Sequence, residues 1–220
     1  MADQAPEYAA AWAAFGRLQR AAPHRLDWAR WSAGHTVHRL FAVLLEEPAA
    51  QAAVARVQRA LVGMHDLELH PAHFLHVSLQ SLGFDRQLEI DLAAVAAALA
   101  EQPAFDLDIG APNAFDSAVF LEVHSHGRLL ALRTAVRRVG GPALARLDPF
   151  PGLLFHLTLG YFGERMDTAE LRTRLRPLRD RPGVRVHVDE VGLFEVPTDQ
   201  RQAYPLLAPV RRFRLGPPAP

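Results

Sequence analysis

His76-Val77-Ser78-Leu79 and His156-Leu157-Thr158-Leu159 decide how this chain is read. Each is His-x-(Ser/Thr)-Leu inside an apolar run, residues 74–82 and 153–162, bounded by glycine and charge, which predicts two buried strands. On a strand, residues two apart share a face and stand roughly 6.5 Å apart. His76 and Ser78 therefore share one face while Val77 and Leu79 take the other, and His156 and Thr158 repeat the arrangement. An imidazole beside a hydroxyl, presented twice from rigid strands, is what acid–base chemistry on a phosphate requires. One histidine takes a proton, the other gives one, and the hydroxyls hold the non-bridging oxygens. Either histidine alone would read as an ordinary buried imidazole; the repeated pairing carries the chemistry.

The surroundings repeat too. An apolar strand, residues 40–45, and a helical stretch, residues 49–64, precede the first motif; residues 119–123 and 129–139 stand in the same places before the second. Phe41 precedes His76 by 35 positions and Phe120 precedes His156 by 36. A helical stretch comes after each motif, residues 86–101 and 168–178. Self-similarity of this kind decides architecture. It predicts an α+β fold of two pseudo-symmetric lobes, each an antiparallel sheet with helices on its outer face, the motif strands lining a central groove.

From residue 39 to residue 215 the pattern resembles the 2H (two-histidine) phosphoesterase superfamily, and within it the 2′-5′ RNA ligase-like and cyclic phosphodiesterase branch. The features that carry the resemblance are Arg39-Leu40-Phe41-Ala42-Val43, the first motif with its trailing Leu82-Gly83-Phe84, and the second motif preceded by Phe155. The segment Val188-Asp189-Glu190-Val191-Gly192-Leu193-Phe194-Glu195 and the late Tyr204-Pro205-Leu206 fit as well. The resemblance implies a metal-independent phosphodiesterase without a cofactor, opening 2′,3′-cyclic phosphates of RNA ends or nucleotides to 2′-phosphates. Reversible 2′-5′ RNA ligation would be the same geometry run in the joining direction. It implies His76 and His156 as the catalytic pair and Ser78 and Thr158 as phosphate anchors, with Phe84, Tyr161 and Phe162 as candidates to hold a base. Two departures stand out: the RNA ligase-like branch often carries Phe where Ser81 stands and Arg where Tyr161 stands. A guanidinium grips phosphate in two bonds, so Tyr161 bears on substrate class and looks more like the cyclic phosphodiesterase branch. By strict alternation Tyr161 points away from the His156 face. The rivals are a non-catalytic RNA-end or nucleotide-binding module and a 2H enzyme acting on another cyclic or 2′-5′ phosphodiester.

Composition bounds the rest. The 220 residues are half hydrophobic, enough for a sizeable core. Acids and bases balance at 24 each, so no global field draws the protein to nucleic acid, and any RNA contact is local. Every basic residue is Arg, which codon bias accounts for. The absence of Cys excludes disulfides, thiolate metal sites and a cysteine nucleophile. The first residues lack the basic and apolar regions of a signal peptide, and no apolar run reaches membrane-spanning length, so a cytoplasmic monomer is expected. Residues 37–215 form the expected domain. Residues 1–36 are read as a helical extension docked by the stripe Tyr8, Trp12, Phe15 and Leu18, with Trp28 and Trp31 next in the chain, and residues 216–220 as a disordered tail.

Other constellations carry less. His70, His73 and His76 are spaced by three, but Pro71 makes the segment a loop entering a strand, and no carboxylate cluster joins them, so no metal site is expected. His124-Ser125-His126 reads as a strand end and helix cap. No glycine-rich or Walker-type loop points to a nucleotide cofactor, and Ser78 lies in a strand rather than at a nucleophile elbow.

Overall fold

The computed structural model describes residues 4–24, 29–30, 32–85, 88–147, 152–198, 204, 207 and 209–218. Expectations for Leu26, Trp28, Trp31, Arg86, Pro149, Phe150, Pro151, Pro205, Leu206 and the last two residues lie outside them. In chain order the elements are α1 (Ala5–Phe15), β1 (Val37–Leu44), α2 (Pro48–Leu61), β2 (Leu67–Leu69), a 3-10 turn (Ala72–Phe74), β3 (His76–Phe84), α3 (Leu92–Ala100) and β4 (Phe105–Ala114). After these come β5 (Ala118–His124), α4 (Arg128–Leu147), β6 (His156–Phe162), α5 (Thr168–Leu175), a second 3-10 turn (Arg176–Leu178), β7 (Val184–Val188), β8 (Glu190–Pro197) and β9 (Pro209–Arg214).

Among the described residues the strands form one curled antiparallel sheet, a half-barrel, in the order β7-β4-β5-β6-β3-β1-β8-β9, with β2 pairing β6. The two motif strands are its centre, joined at one register position, Val77 opposite Leu157. One lobe is β3-β1-β8-β9, from the beginning and end of the chain; the other is β6-β5-β4-β7, from the middle. Helices α3 and α4 pack on the first lobe, while α2 packs on the second, so the helix after each opening strand crosses to the other half.

Alternation along the motif strands divides the faces as expected. Val77, Leu79, Leu157 and Leu159 enter one core with Val54 and Leu61 of α2, Leu132 and Val136 of α4, and Leu171 and Leu175 of α5. Burying each such side chain contributes about 1.5–3 kcal/mol. The histidines occupy the opposite, concave face. There a smaller cluster of Leu40, Ala42, Phe74, Phe194 and Leu207 fills the first lobe.

Several boundaries move for local reasons. The helix expected from residue 86 starts at Leu92, because the Asp91 carboxylate caps it through the N–H groups of Ala93 and Ala94; Asp167 does the same for α5. The stretch expected to end at residue 139 continues to Leu147 across a break at Gly141, whose positive φ of 59° suits glycine and whose follower, Pro142, restarts the helix. Strand β4 runs past Ile109 through an irregularity to Ala114. The repeat is also offset by one from the sequence alignment. Ala42 and Phe120, not Phe41 and Phe120, are equivalent: each lies opposite its motif hydroxyl residue, Ser78 or Thr158. Phe41 instead enters the main core.

No helix among the described residues is long and apolar enough to cross a membrane.

Candidate functional site

His76 and His156 lie across the join of the two lobes. With Val77 opposite Leu157, the same antiparallel count carried one residue either way sets His76 across from Thr158 and Ser78 across from His156. Each imidazole is held in the same way. His76 Nδ1 donates to the Phe74 carbonyl at 2.8 Å, and His156 Nδ1 donates to the Leu154 carbonyl at 2.7 Å. A carbonyl can only accept, so the neutral ring carries its proton on Nδ1 and leaves Nε2 as a free acceptor. Two identical tautomers, each fixed by the backbone two residues upstream, are the geometry of an acid–base pair. Among the described residues the hydroxyls of Ser78 and Thr158 are engaged by no protein group, and both side chains are partly exposed. They remain available to a ligand.

Aromatic rings wall the pair. Phe74 meets His76 edge-on at 5.4 Å; Phe115 and Phe120 meet His156 at 5.0 and 5.2 Å and stack on each other at 4.3 Å. Desolvation in this setting dominates the electrostatics. Burial lowers the pKa of His76, partly offset by its bond to Phe74. Burial lowers that of His156 to about 4, with the Leu154 bond opposing and a positive His76 adding to the effect. A proton on one ring disfavours a proton on the other, so the two titrate as a coupled pair.

Tyr161 departs from the alternation expected of it. Strand β6 carries a bulge at its pairing with β5: Phe120 lies opposite Thr158, but Val119 lies opposite Gly160. A bulge inserts one residue and re-aims the side chains beyond it. Tyr161 thereby returns to the His156 face, where it stacks on His24 at 3.5 Å and 7° and meets His70 edge-on at 4.5 Å. Strand β3 has the matching bulge, with Phe41 opposite Gln80 and Ala42 opposite Ser78. It brings Ser81 to the same face, 3.0 Å from His38 Nε2. Gly160 is required at its bulge, since a Cβ there would sit 2.6 Å from the Glu68 carbonyl oxygen of β2.

The other two aromatic candidates are not brought to the histidines. Phe162 turns to the helix side, fully buried in the core near Phe15, because the bulge that returns Tyr161 to the groove also flips its neighbour. Phe84 ends β3, about 25 Å along the strand from His76, and stacks on His35 at 4.6 Å.

Two further neighbours of the pair were not singled out as site residues by the sequence. His70 is 2% exposed, and among the described residues neither ring nitrogen makes a well-formed hydrogen bond, although the Thr158 backbone lies near enough to oppose the lowering of its pKa. Burial first, then the charges of His76, His24 and His156, hold that pKa well below the usual value. His70 packs among Phe74, Tyr161 and Tyr204 at 5.2, 4.5 and 4.9 Å. His24, from the segment after α1, closes the same cluster through Tyr161. The spacing of His70, His73 and His76 does not make a metal face: His73 Nε2 bonds the Tyr204 carbonyl at 3.2 Å, while His70 lies in its aromatic cluster. Among the described residues no group of three or more His, Asp or Glu converges as a metal site.

This histidine-rich face makes stability pH-dependent. His38, with burial as the main cause and His76 second, has a folded pKa of about 4, as does His156, and His70 is lowered too. Unfolded, these groups titrate near 6.5. Between about pH 6.5 and 4 the unfolded chain therefore binds protons that the folded chain refuses, so stability is full above 6.5 and falls with acidification. Urea midpoints at pH 7, 5.5 and 4.5 should decrease in that order. A flat series would mean that the imidazoles are charged in the fold.

Residues 45–200 match the family model described as 2′-5′ RNA ligase superfamily. No curated protein sequence matches this one. Among solved structures, the Thermus thermophilus protein TT0787 superposes with a TM-score of 0.62 at 17% identity, over 82% of this chain and 98% of that one. Apo LigT of Escherichia coli superposes at 0.56 with 15% identity, over 83% and 99%. LigT complexed with 3′-AMP superposes at 0.55 with 16% identity, over the same shares. At these identities the superpositions establish the fold.

Proposed function

We propose, because the chain belongs to the 2′-5′ RNA ligase superfamily and presents two identically tethered imidazoles across its groove, that it is a phosphodiesterase that opens 2′,3′-cyclic phosphates of nucleotides or RNA ends. The observation that carries this reading is the pair of Nδ1–carbonyl bonds, which leaves Nε2 of both rings as the nitrogen that can take or give a proton, on the strand face that also carries Ser78 and Thr158. Both imidazoles are neutral at pH 7 in the free protein, since burial depresses both. A bound phosphodiester carries negative charge, which favours the protonated form of a nearby base. Substrate binding thus supplies the acid by restoring one imidazolium and leaves the other ring as base. The base Nε2 takes a proton from water as its oxygen bonds to phosphorus. The P–O3′ bond breaks, and the acid Nε2–H delivers its proton to the departing O3′, leaving a 2′-phosphate. Ser78 and Thr158 donate to the non-bridging oxygens as their charge grows. With a 5′-hydroxyl in place of water as nucleophile, the same step forms a 2′-5′ bond as P–O3′ breaks, and its reverse, attack of O3′ on that diester, releases the 5′-hydroxyl again. Of the rings around His70, the partly exposed Tyr161 and Tyr204 are the candidates to hold a base, Tyr161 by exchanging its stack on His24 for one on the base. That the LigT structure was solved with 3′-AMP supports a nucleotide-sized ligand in this fold.

The test is a panel of 2′,3′-cyclic nucleotides, 2′-5′ dinucleotides and RNA with a cyclic end, assayed in EDTA with products identified. Opening of the cyclic nucleotides to 2′-phosphates, unaffected by EDTA, is the expected result. Predominant 3′-phosphate would refute the regiochemistry. Loss of activity in EDTA with rescue by a divalent ion would refute the two-histidine mechanism.

A further inference from the structure

The two halves hold their histidines with matching bonds but support those bonds differently. In the first lobe the carbonyl that holds His76 belongs to Phe74, in the 3-10 turn Ala72–Phe74, whose own backbone closes it through Phe74 N–H to Pro71 O at 2.9 Å. In the second lobe the described residues before β6 form no such turn. Their backbone groups are taken instead by side chains of α1 and its cap. Gln4 Nε2 donates to the Leu153 carbonyl at 3.1 Å, and Gln4 Oε1 accepts from Phe155 N–H at 3.0 Å. The next positions in the β5–β6 register are Val123 and Phe155, and the Tyr8 hydroxyl stands between them. It lies 2.6 Å from the Phe155 carbonyl and 2.7 Å from the Val123 carbonyl, its single proton shared, and accepts from Val123 N–H at 3.1 Å. Gln4 and Tyr8 therefore grip the peptide on both sides of Leu154, whose carbonyl orients His156.

Helix α1 is anchored well enough to act as a clamp. Phe15 is buried in the main core, and the Arg179 guanidinium lies 4.3 Å over the Trp12 ring. Asn113 Nδ2 donates to the Tyr8 carbonyl at 2.9 Å and to Glu122 Oε1 at 2.8 Å. The helix lies wholly outside residues 45–200, which match the family.

We propose that Gln4 and Tyr8 are positioning residues for His156: the clamp they place on residues 153–155 fixes the Leu154 carbonyl, and through it the tautomer and direction of the imidazole. The inference rests on the two-histidine reading above for its catalytic consequence only. Displacing a reacting group by about an ångström can cost up to a hundredfold in rate. Tyr8→Phe keeps the ring and removes the hydroxyl; Gln4→Ala removes the other half of the clamp.

The experiment uses the full chain with histidine ring nitrogens labelled for NMR at pH 7.5, alongside kcat and KM on a 2′,3′-cyclic nucleotide. In both variants the His156 ring should show a mixture of tautomers while His76 keeps its Nδ1–H form. kcat should fall about tenfold to a hundredfold, with KM changed less than about threefold. Phe15→Leu serves as the structural comparison: it should lower the melting temperature and leave the His156 nitrogens and kcat of the folded protein as they are. Unchanged His156 nitrogen shifts in the Gln4→Ala, Tyr8→Phe double variant would overturn the clamp. So would changes reproduced in full by Phe15→Leu. The ring signals report the clamp even if the wild-type protein opens no cyclic phosphate, so failure of the functional reading and failure of the clamp are distinct results.

Discussion

His76→Ala and His156→Ala should each lower kcat on a 2′,3′-cyclic nucleotide by about 10²–10⁴-fold, the usual contribution of one positioned acid or base. Neither should unfold the protein. Both rings face the groove rather than the packed core, and each contributes one hydrogen bond to a backbone carbonyl of its own strand entry. The melting temperature and circular dichroism of each variant would verify the fold. The double variant should lose less than the product of the two single losses, because a proton relay missing one end gains little from the other. The pH profile of the wild type should be a bell whose limbs belong to the pair. A single variant that retained near-full turnover on the best substrate would sink the two-histidine mechanism.

What the amino-acid order made legible, and what it did not, divides along a physical line. The motif strands, their alternation and the duplication were readable because apolar and polar residues at a period of two dictate which face meets the core. Val77, Leu79, Leu157 and Leu159 obey that rule. The errors lie where register depends on a partner strand. The bulge near Leu159 arises from how β6 pairs with β5, and the motif itself carries no mark of it. It moved Tyr161 to the groove and Phe162 to the core, the reverse of simple alternation. The equivalence of Ala42 with Phe120 was hidden for the same reason. Gly160 was the available signal, because a glycine inside a strand marks a bulge or a close backbone approach, and here it marks both. The stripe of Tyr8, Trp12, Phe15 and Leu18 was visible at helical spacing, and Tyr8 and Phe15 are buried. Its face on the sheet was not visible, because docking is set by the complementary surface and not by the helix. The place of His70 in the groove was illegible since Pro71 and an irregular segment hide any periodicity, and its ring is held there by the aromatic rings of Phe74, Tyr161 and Tyr204.

Ser78→Ala and Thr158→Val should come next in size. A donor aimed at charge that develops in the transition state is worth about 10²–10³ in kcat in well-studied cases, and each hydroxyl here shares a strand face with one histidine and lies across the lobe join from the other. The loss should appear in kcat if the bonds strengthen as the phosphate gains charge, and in KM if they are as strong in the ground state. Stability should change little. Among the described residues neither hydroxyl bonds to the protein, so its removal strands no buried partner. Thr158→Val also conserves shape on a strand that favours β-branching. The decisive comparison is Ser78→Thr, which keeps the oxygen and adds a methyl group on a partly exposed face. Its kcat should stay within about threefold of wild type, whereas Ser78→Ala falls by about 10²-fold. If Ser78→Thr were as impaired as Ser78→Ala, space beside His76 would be the requirement at this position and the hydroxyl would have no part in holding phosphate.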